Sequence, residues 1–327
     1  IYGFAAVPSG KTLSIEAGAR IHFHDNSGII VADNASIQAI GDYSSDTEIM
    51  ENEIIFEGDR LEPEYANIPG QWAAIWLTEG STNHIFDHVT IKNSTVGILM
   101  DANDGSQDPT LTLKNTQIYN SANVGLLART GHIDAENLVI NNSGQSSLNL
   151  SLGGRYNFRH CTFSNYWGDS FRQFPSVLIE NNYQSAETLF VADLVEANFS
   201  NCIIYGNESI ELLLNKVDEA AFNYKFENCL LRFNDINSDF SDNPLYDFSN
   251  TSLFEDLTLN TPPLFLDTDE NKLIISEESP ANGNADQTVA NQVPLDILGK
   301  DRTQSPDIGA YQSVEFEEQK NHSPSKG

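Results

Sequence analysis

A short pattern of polar and apolar residues repeats along most of this chain and limits what it can fold into. In the segment YNFRHCTFSNYW, Phe158 precedes His160 by two residues, and Cys161, Phe163 and Asn165 follow it at +1, +3 and +5. Six segments share this pattern, and their reference residues are His88, Asn115, Asn137, His160, Asn201 and Asn228. The separations are 27, 22, 23, 41 and 27 residues, and a period of this length indicates a solenoid.

Each copy of the pattern suits short strands that meet at a corner. Apolar residues at −2, +1 and +3 do not form a helical stripe, whereas +1 and +3 share one face of a strand. The reference residue supplies the bend, because asparagine tolerates left-handed dihedral angles. Roughly 22 residues accommodate three strands of about four to five residues plus turns. The pattern therefore predicts an all-β solenoid, a parallel β-helix with coils about 4.8 Å apart and an asparagine ladder at one corner.

The chain is strongly acidic, with 17 Lys and Arg against 47 Asp and Glu and a formal net charge of −30. This balance argues against nucleic acid and anionic membranes as partners, because both bind basic patches. No apolar run approaches the ~18 residues of a membrane span, so we predict no transmembrane segment in this chain. Ile1 continues directly into patterned sequence, and we interpret the chain as a fragment or a mature form without its leader.

The three cysteines all occupy the +1 position of the repeat: Cys161, Cys202 and Cys229. We expect them to line up along the helix axis as buried, free thiols in an inward-facing slot. In-register neighbours on parallel strands point the same way, which is poor geometry for a disulfide. A metal site would want Cys-x-x-Cys or paired histidines nearby, and the sequence has neither at these positions.

Breaks in the pattern predict the domain organisation. Residues 1–243 are expected to form the β-helix coils, with loop insertions near 57–74 and 166–197. Residues 244–312 lose the asparagine pattern and predict a terminal coil and C-terminal capping segment, since solenoids need an end cap with a polar outer face. Residues 313–327 are polar and predict a disordered tail.

The insertion near 57–74 offers a candidate ligand-binding surface, because loops that leave a solenoid commonly carry binding residues. Its aromatic and charged side chains suit a sugar: Asp59, Arg60, Glu62, Tyr65 and Trp72. The alternative is a loop that folds down over a coil, with the nearby Trp76 buried.

A basic cluster is the strongest enzymatic candidate in this acidic chain: Arg155, Arg159, His160 and Arg172, with Tyr166 nearby. A polysaccharide lyase needs a base beside a uronate carboxylate and a cation that stabilises the enolate. The arginines could supply the cation and His160 or Tyr166 the base. Alternatively, His160 is a rung of the asparagine ladder. Glycosidases instead use paired carboxylates, and 47 acidic residues make any one pair uninformative.

Candidate metal ligands are scattered and incomplete, so we predict no cofactor and leave calcium open. Two acidic segments carry oxygen ligands without the EF-hand spacing: Asp101, Asn103 and Asp108, and Asp235, Asn237 and Asp239. His22 and His24 share one strand face and could chelate zinc or copper, but no third ligand is visible in the sequence. The alternative for all three groups is a solvated turn or strand.

Several segments resemble known families. Three C-terminal stretches resemble the signature of right-handed parallel β-helix proteins grouped as choice-of-anchor Q domains: ESPANGNAD, LDILGKDR and SPDIGAYQ. A wider set resembles uncharacterised surface lipoproteins found mainly in Bacteroidota: GKTLSIEAGARIHFH, FEGDRLEPEY, PGQWAAIWLTEGS, YNFRHCTFSNYW and SNCIIYGN. The resemblance implies a right-handed coil, a lipid anchor upstream of Ile1, and a cell-surface, outer-membrane or periplasmic location. It implies no catalytic residues.

Two functions follow as hypotheses. The first is a non-catalytic cell-surface scaffold that binds carbohydrate or an outer-membrane protein partner. The second is a polysaccharide lyase or glycoside hydrolase that acts on an acidic polysaccharide near Arg155, Arg159, His160 and Arg172. The first is preferred because every polar repeat position has a structural use.

Overall fold

The computed structural model describes residues 1–316. The predicted disordered tail begins too early, because Val314 pairs with Ser276, and its part from residue 317 onward lies outside the described residues. Within these residues the chain forms mostly short strands, with 3₁₀ turns at Pro63–Tyr65 and Pro244–Tyr246 and one α-helix. The elements are β1 (Phe4–Val7), β2 (Thr12–Glu16), β3 (Arg20–Phe23), β4 (Gly28–Val31), β5 (Ser36–Ile40), β6 (Ile54–Gly58), β7 (Ile75–Leu77), β8 (His84–Lys92), β9 (Val96–Met100), β10 (Leu111–Ser121), β11 (Val124–Glu136), β12 (Val139–Ser143), β13 (Leu148–Arg159), β14 (Thr162–Asn165), β15 (Val177–Glu180), β16 (Asn182–Ser185), β17 (Thr188–Val191), β18 (Leu194–Ser200), β19 (Ile203–Gly206), β20 (Leu212–Asn215), β21 (Lys225–Glu227), β22 (Leu230–Leu231), β23 (Phe254–Glu255), β24 (Thr258–Leu259), β25 (Phe265–Asp267), β26 (Lys272–Ile275) and α1 (Gln287–Gln292).

Successive coils stack in parallel and form three sheets. Sheet 1 stacks β1, β4, β7, β9, the first halves of β11 and β13, β15 and β20. Sheet 2 stacks β2, β5, the first halves of β8 and β10, the second halves of β11 and β13, β18, β21 and β23. Sheet 3 stacks β3, β6, the second halves of β8 and β10, β12, β14, β19, β22 and β24. The long strands pass through the corners and join the sheets into one 22-stranded network. The predicted parallel β-helix is confirmed.

The reference residues turn the chain at the corner between sheets 2 and 3. All six have left-handed backbone, with φ from +44° at Asn115 to +55° at Asn201. Their side chains join neighbouring coils, as Asn137 Nδ2 donates to Asn115 Oδ1 at 2.9 Å. Asn201 Nδ2 lies 2.9 Å from His160 Nε2, so His160 is a member of the ladder. The predicted bend and asparagine ladder are confirmed.

Aromatic rings and thiols fill the interior in register. The rings of Phe158, Phe199, Phe226 and Phe254 are stacked, with centroids of successive rings 4.9, 4.7 and 5.6 Å apart. The three cysteines are buried and free, as predicted. The later sulfurs contact the preceding coil. Cys202 Sγ lies 3.4 Å from the Cys161 amide nitrogen, and Cys229 Sγ lies 3.4 Å from the Cys202 amide nitrogen. Burial raises the pKa of the Cys202 thiol well above its ordinary value.

The C-terminal segment differs from the predicted end cap. Strands β23 and β24 do form a terminal coil, since they pair with β21 and β22. Residues 260–314, here named the strap, then run back along the outer face of sheet 3. Asn141 donates to Asn271 Oδ1 at 2.8 Å, and the Gly309 amide donates to Asn201 O at 2.8 Å. The strap even reaches an early coil, where Lys272 Nζ lies 3.3 Å from Glu48 Oε1.

Apolar residues that point outward from sheet 3 explain this path. Val139, Ile203 and Leu230 face away from the interior, yet they are at most 1% exposed because the strap covers them. Strap residues complete two further apolar clusters with them, including Ile275, Ile308, Leu273 and Ala310. A strand with apolar residues on both faces predicts a second covering layer, and this signal lies in the +2 position of the repeat.

A buried arginine fastens the strap to the ladder corner. Arg302 is fully buried and donates to Asn137 Oδ1 at 2.9 Å and to the carbonyls of Gly309 and Ala310 at 3.3 Å. Burial lowers the pKa of its guanidinium to about 10, which leaves it charged at neutral pH. Gly309 has φ +99°, and a Cβ there would lie 2.7 Å from Ile203 Cδ1, so the strap approaches the sheet closely.

Among residues 1–316, no helix is long and apolar enough to cross a membrane.

Replacement of one ring in the phenylalanine stack tests the shared interior. Phe199→Ala is expected to lower the free energy of unfolding by about 3–5 kcal/mol, because a cavity forms between two aromatic neighbours. Asn198→Ala is the matched control on the outward side of the same strand, and we expect it to change stability by less than about 0.5 kcal/mol. Urea unfolding followed by circular dichroism measures both. Equal effects of the two variants would contradict the inward stack.

Candidate functional site

The outer face of sheet 2 carries regular rows of polar side chains. One row, in register from coil to coil, is Asp87, Lys114, Glu136, Arg159, Ser200, Glu227 and Glu255. The next row is Thr112, Asp134, Asn157, Asn198 and Lys225, and a shorter one is His132, Arg155 and Glu196. Their inward neighbours are apolar, so strict alternation along each strand places the polar residues outside.

Charges on this face are paired across adjacent coils. Arg159 bonds Asp134 at 2.9 Å, Lys114 Nζ lies 2.8 Å from Glu136, and Arg155 Nε lies 3.4 Å from Glu196. Exposed pairs of this kind contribute about 0–1 kcal/mol each to stability. Their main effect is to make the face a periodic array of hydrogen-bond donors and acceptors with little local net charge.

A groove of about 350 Å³ opens at the corner between sheets 1 and 2. The acidic turn at 103–107 forms one side, and the chain at 192–195, where the hairpin of β16 and β17 returns to the coil, forms another. Its main side chains are Asn103, His132, Arg155, Asp193 and Val195. The volume falls within the usual range for small-ligand sites, about 300–1,000 Å³.

Register and backbone breaks place the two basic residues of the groove. His132 and Arg155 are aligned partners on β11 and β13. The corner just before them is irregular, with Thr130 at φ +46° and Gly153 at φ +67°, and the register shifts there. A Cβ at Gly153 would lie 2.4 Å from the Asp193 carbonyl oxygen, so glycine allows the hairpin base to approach the coil.

Asp104 holds the acidic turn in place. Its carboxylate accepts hydrogen bonds from the Ser106 amide at 2.9 Å, from Thr110 Oγ1 at 3.0 Å and from Thr82. Burial alone would raise the pKa of Asp104, but these hydrogen bonds outweigh it and lower that pKa to about 2. The turn that forms one side of the groove is thus anchored by an ionised carboxylate.

His132 is neutral at physiological pH. Partial burial, followed by the positive charge of Arg155, lowers the pKa of its imidazole below the ordinary value. A neutral imidazole can donate with one nitrogen and accept with the other. The groove therefore combines a neutral donor–acceptor and a guanidinium, and the Asp193 carboxylate beside them already accepts a hydrogen bond from the Ala221 amide at 2.8 Å.

The four predicted catalytic residues do not form one site. Arg155 and Arg159 share the outer face of sheet 2, but four residues of strand separate them by roughly 13 Å. His160 is buried at the ladder corner, where burial lowers its pKa well below the ordinary value. Arg172 is buried between sheets 3 and 1, 2.6 Å from Glu211. Tyr166 is a strap contact, with its ring centroid 6.1 Å from that of Phe265.

The candidates in the 57–74 insertion also separate. Trp72 is buried, with its ring centroid 4.2 Å from that of Phe23, and its Nε1 donates to Lys92 O at 2.9 Å. The guanidinium carbon of Arg60 lies 3.6 Å from the centroid of the Tyr65 ring. Asp59 pairs with His24 at 2.9 Å, and Glu62 is exposed. The insertion folds down over a coil, and Trp72 rather than Trp76 is its buried tryptophan.

The candidate metal ligands have other partners or lie apart. Asp101 accepts from Arg129 at 2.7 Å and from Trp76 Nε1 at 2.6 Å. Asn103 donates to the Thr130 carbonyl. Asp235 accepts from the amides of Asp239 and Phe240 at 2.9 and 2.8 Å, and the remaining candidates Asp108 and Asn237 lie in exposed turns. His22 lies 3.5 Å from Glu57. Within residues 1–316, no group of three or more His, Cys, Asp or Glu residues is arranged to hold a metal ion.

The sequence prediction missed His132 and Asp193 in the groove. A signal was present for His132, because His132, Arg155 and Glu196 each stand five residues before a reference residue. The repeat therefore aligns them on one row of the sheet. Asp193 carries no such signal, since a hairpin insertion places it.

Comparison with known proteins gives no family for this chain. No protein-family model matches it. No curated protein matches it. Among solved structures it is similar to trypsin-treated QnrB1, a plasmid-mediated fluoroquinolone resistance protein, at 9% identity over 79% of this chain and 91% of that chain, with a TM-score of 0.17. A likeness at this level says nothing about function, and the β-helix assignment rests on the strand pairing described above.

The anchoring of the acidic turn predicts a pH dependence. A carboxylate with a lowered pKa stabilises the fold above its unfolded pKa of about 4, and the contribution disappears as pH falls towards about 2. Wild type is therefore expected to melt higher than Asp104→Asn at neutral pH, with the difference shrinking below about pH 4. Thermal unfolding across this range measures it. Asp108→Asn is the control in the same turn, and a constant gap between wild type and Asp104→Asn would contradict the assignment.

Proposed function

We propose that the protein is a non-catalytic β-helix that binds a glycan along the outer face of sheet 2, with the groove at Arg155 and His132 as its principal contact. The observation that carries this proposal is the in-register array of paired polar residues that leads into the groove. A ligand built from repeating units suits a surface that repeats about every 4.8 Å.

The chemistry of the groove fits sugar hydroxyls. Arg155 can donate hydrogen bonds, Asp193 can accept them, and neutral His132 can do both. Val195, with 45% of its surface exposed, offers an apolar contact for the C–H face of a sugar ring. Because Arg155 already pairs with Glu196, the site has no excess positive charge, and a neutral glycan fits it better than a polyanion.

The separation of the four predicted catalytic residues supports a binding role over the predicted enzymatic one. Arg172 and Glu211 stabilise each other in the interior, and His160 serves the ladder. These four residues lie too far apart to act together in a lyase.

We place this binding protein at the cell surface. The segments that resemble Bacteroidota surface lipoproteins support that location and a lipid anchor outside this sequence. The net charge of −30 favours solubility. It also prevents nonspecific adsorption to anionic surfaces, because like charges repel.

Substitution at the groove tests the proposal. Arg155→Ala is expected to weaken binding to a responsive neutral glycan by at least about tenfold, because it removes the central guanidinium. A glycan array followed by isothermal titration identifies and quantifies the ligand. Arg60→Ala is the matched control, since Arg60 lies over Tyr65 away from the groove. Equal losses in both variants, or no binding on a broad array, would contradict the site.

Catalysis in the same groove is a second candidate, favoured by the neutral His132 beside Arg155. A neutral imidazole can take the proton next to a uronate carboxylate while the guanidinium stabilises the enolate. The C–O bond to the leaving sugar then breaks, that oxygen gains a proton, and a C=C bond forms in the remaining ring.

An absorbance assay separates the two candidates. Under the catalytic reading, uronate polysaccharides give an ultraviolet-absorbing unsaturated product, and His132→Ala lowers the rate by about 10²–10⁴-fold. Under the binding reading, no product forms while binding persists. The control is His24→Ala, because His24 pairs with Asp59 elsewhere on the surface.

A further inference from the structure

The outer face of sheet 1 carries a straight apolar row that neither the fold nor the proposed glycan site uses. The row is in register over successive coils: Ala6, Ile30, Trp76, Leu99, Leu127, Asn149, Leu178 and Leu213. Strict alternation places these residues outside, since their strand neighbours, such as Ile29 and Val31, fill the interior. Ile30, Trp76, Leu99 and Leu127 form an apolar stripe over four successive coils, and Asn149 interrupts it on the next coil.

This stripe is less completely covered than the equivalent stripe on sheet 3. Ile30, Trp76, Leu99 and Leu127 are half-buried, and none belongs to an apolar cluster with the strap. On sheet 3 the strap buries the outward apolar residues almost completely. The molecule therefore covers the outward apolar row of sheet 3 with its own chain, whereas on sheet 1 Leu178 is buried and Ile30, Trp76, Leu99 and Leu127 keep part of their surface exposed.

Charge identifies the partner. Each copy has a net charge of −30, so two copies repel each other unless they meet on a face with few charges. Sheet 2 is lined with charged residues, and the strap occupies sheet 3. On sheet 1 the row beside the stripe includes Arg129, which is aligned with Ser151 on the next coil and lies 2.7 Å from Asp101, a residue of opposite charge.

The order of these residues is self-complementary on reversal. In the arrangement considered, a second copy packs face to face with its helix axis antiparallel to that of the first. The two-fold axis then passes between the coils of Leu99 and Leu127, so Leu99 contacts Leu127 of the second copy. In the same arrangement Asp101 meets Arg129 of the second copy, and Arg129 meets its Asp101. A two-fold interface requires this kind of reciprocal pairing.

We propose that the protein forms a reversed, face-to-face homodimer through the outer face of sheet 1. The apolar stripe supplies the buried contact, and Asp101 and Arg129 fix its register. Within one copy Arg129 already lies 2.7 Å from Asp101, and Tyr183 of the hairpin lies over its guanidinium at 5.4 Å. The guanidinium is thus held beside the stripe before association. The glycan face of sheet 2 stays free on both copies.

Sedimentation velocity on the full chain tests the dimer. Wild type is expected to sediment as a concentration-dependent dimer whose dissociation constant falls as salt rises from about 50 to about 500 mM, because salt screens the repulsion between the copies. Leu99→Glu is expected to raise the dissociation constant by at least about tenfold. Thr112→Glu is the matched control, because it introduces the same glutamate on the outer face of sheet 2, and it is expected to leave association unchanged.

A charge reversal makes the register falsifiable and separates association from folding. Arg129→Asp is expected to weaken the dimer, and the double variant Asp101→Arg with Arg129→Asp to restore it, while circular dichroism confirms the fold of each. A monomer at every concentration up to about 1 mM would overturn the proposal. A dimer insensitive to Leu99→Glu, or no rescue by the double variant, would also overturn it.

Discussion

Parallel hydrogen bonding between successive coils is the interaction on which the rest of the structure depends. It requires every coil to return to the same corner in the same direction, and the left-handed residues at that corner make this possible. Asparagine and histidine adopt this backbone at modest cost, and their side chains then bond along the axis. Because the register is fixed, each repeat position becomes a row, and each row takes one chemical character.

The rows make the three faces different. Sheet 2 presents paired charges, sheet 3 presents apolar residues that the strap covers, and sheet 1 presents a half-buried apolar stripe. Under the two proposals made above, the polar face of sheet 2 binds a glycan and the apolar stripe of sheet 1 binds a second copy, so the two partners use different faces. The hairpin and the acidic turn interrupt the regularity at one corner, and the groove forms there.

Much of the fold could be predicted from the sequence, because the repeat carries it. The six reference residues, the phenylalanine stack and the aligned thiols all follow from one spacing. The path of residues 260–314 did not follow from it, since that path depends on apolar residues such as Val139 and Ile203, which face outward at the +2 position and lie outside the pattern at −2, +1 and +3. The predicted basic cluster does not form one site, for a related reason. Arg155 and Arg172 are close in sequence, but the chain between them passes through two corners, so only the aligned residues meet. The groove itself depends on an insertion, which no repeat encodes.

The strap also changes how the molecule comes apart. A plain solenoid unfolds coil by coil, because each coil contacts only its neighbours. Here Lys272 reaches Glu48, 224 residues earlier in the chain, and Arg302 grips a ladder residue 165 positions away. Such distant contacts require the intervening coils to be in place, so we expect closure of this segment to come late in folding. Once closed, it links early and late coils, and fraying at either end must break it before the loss can spread.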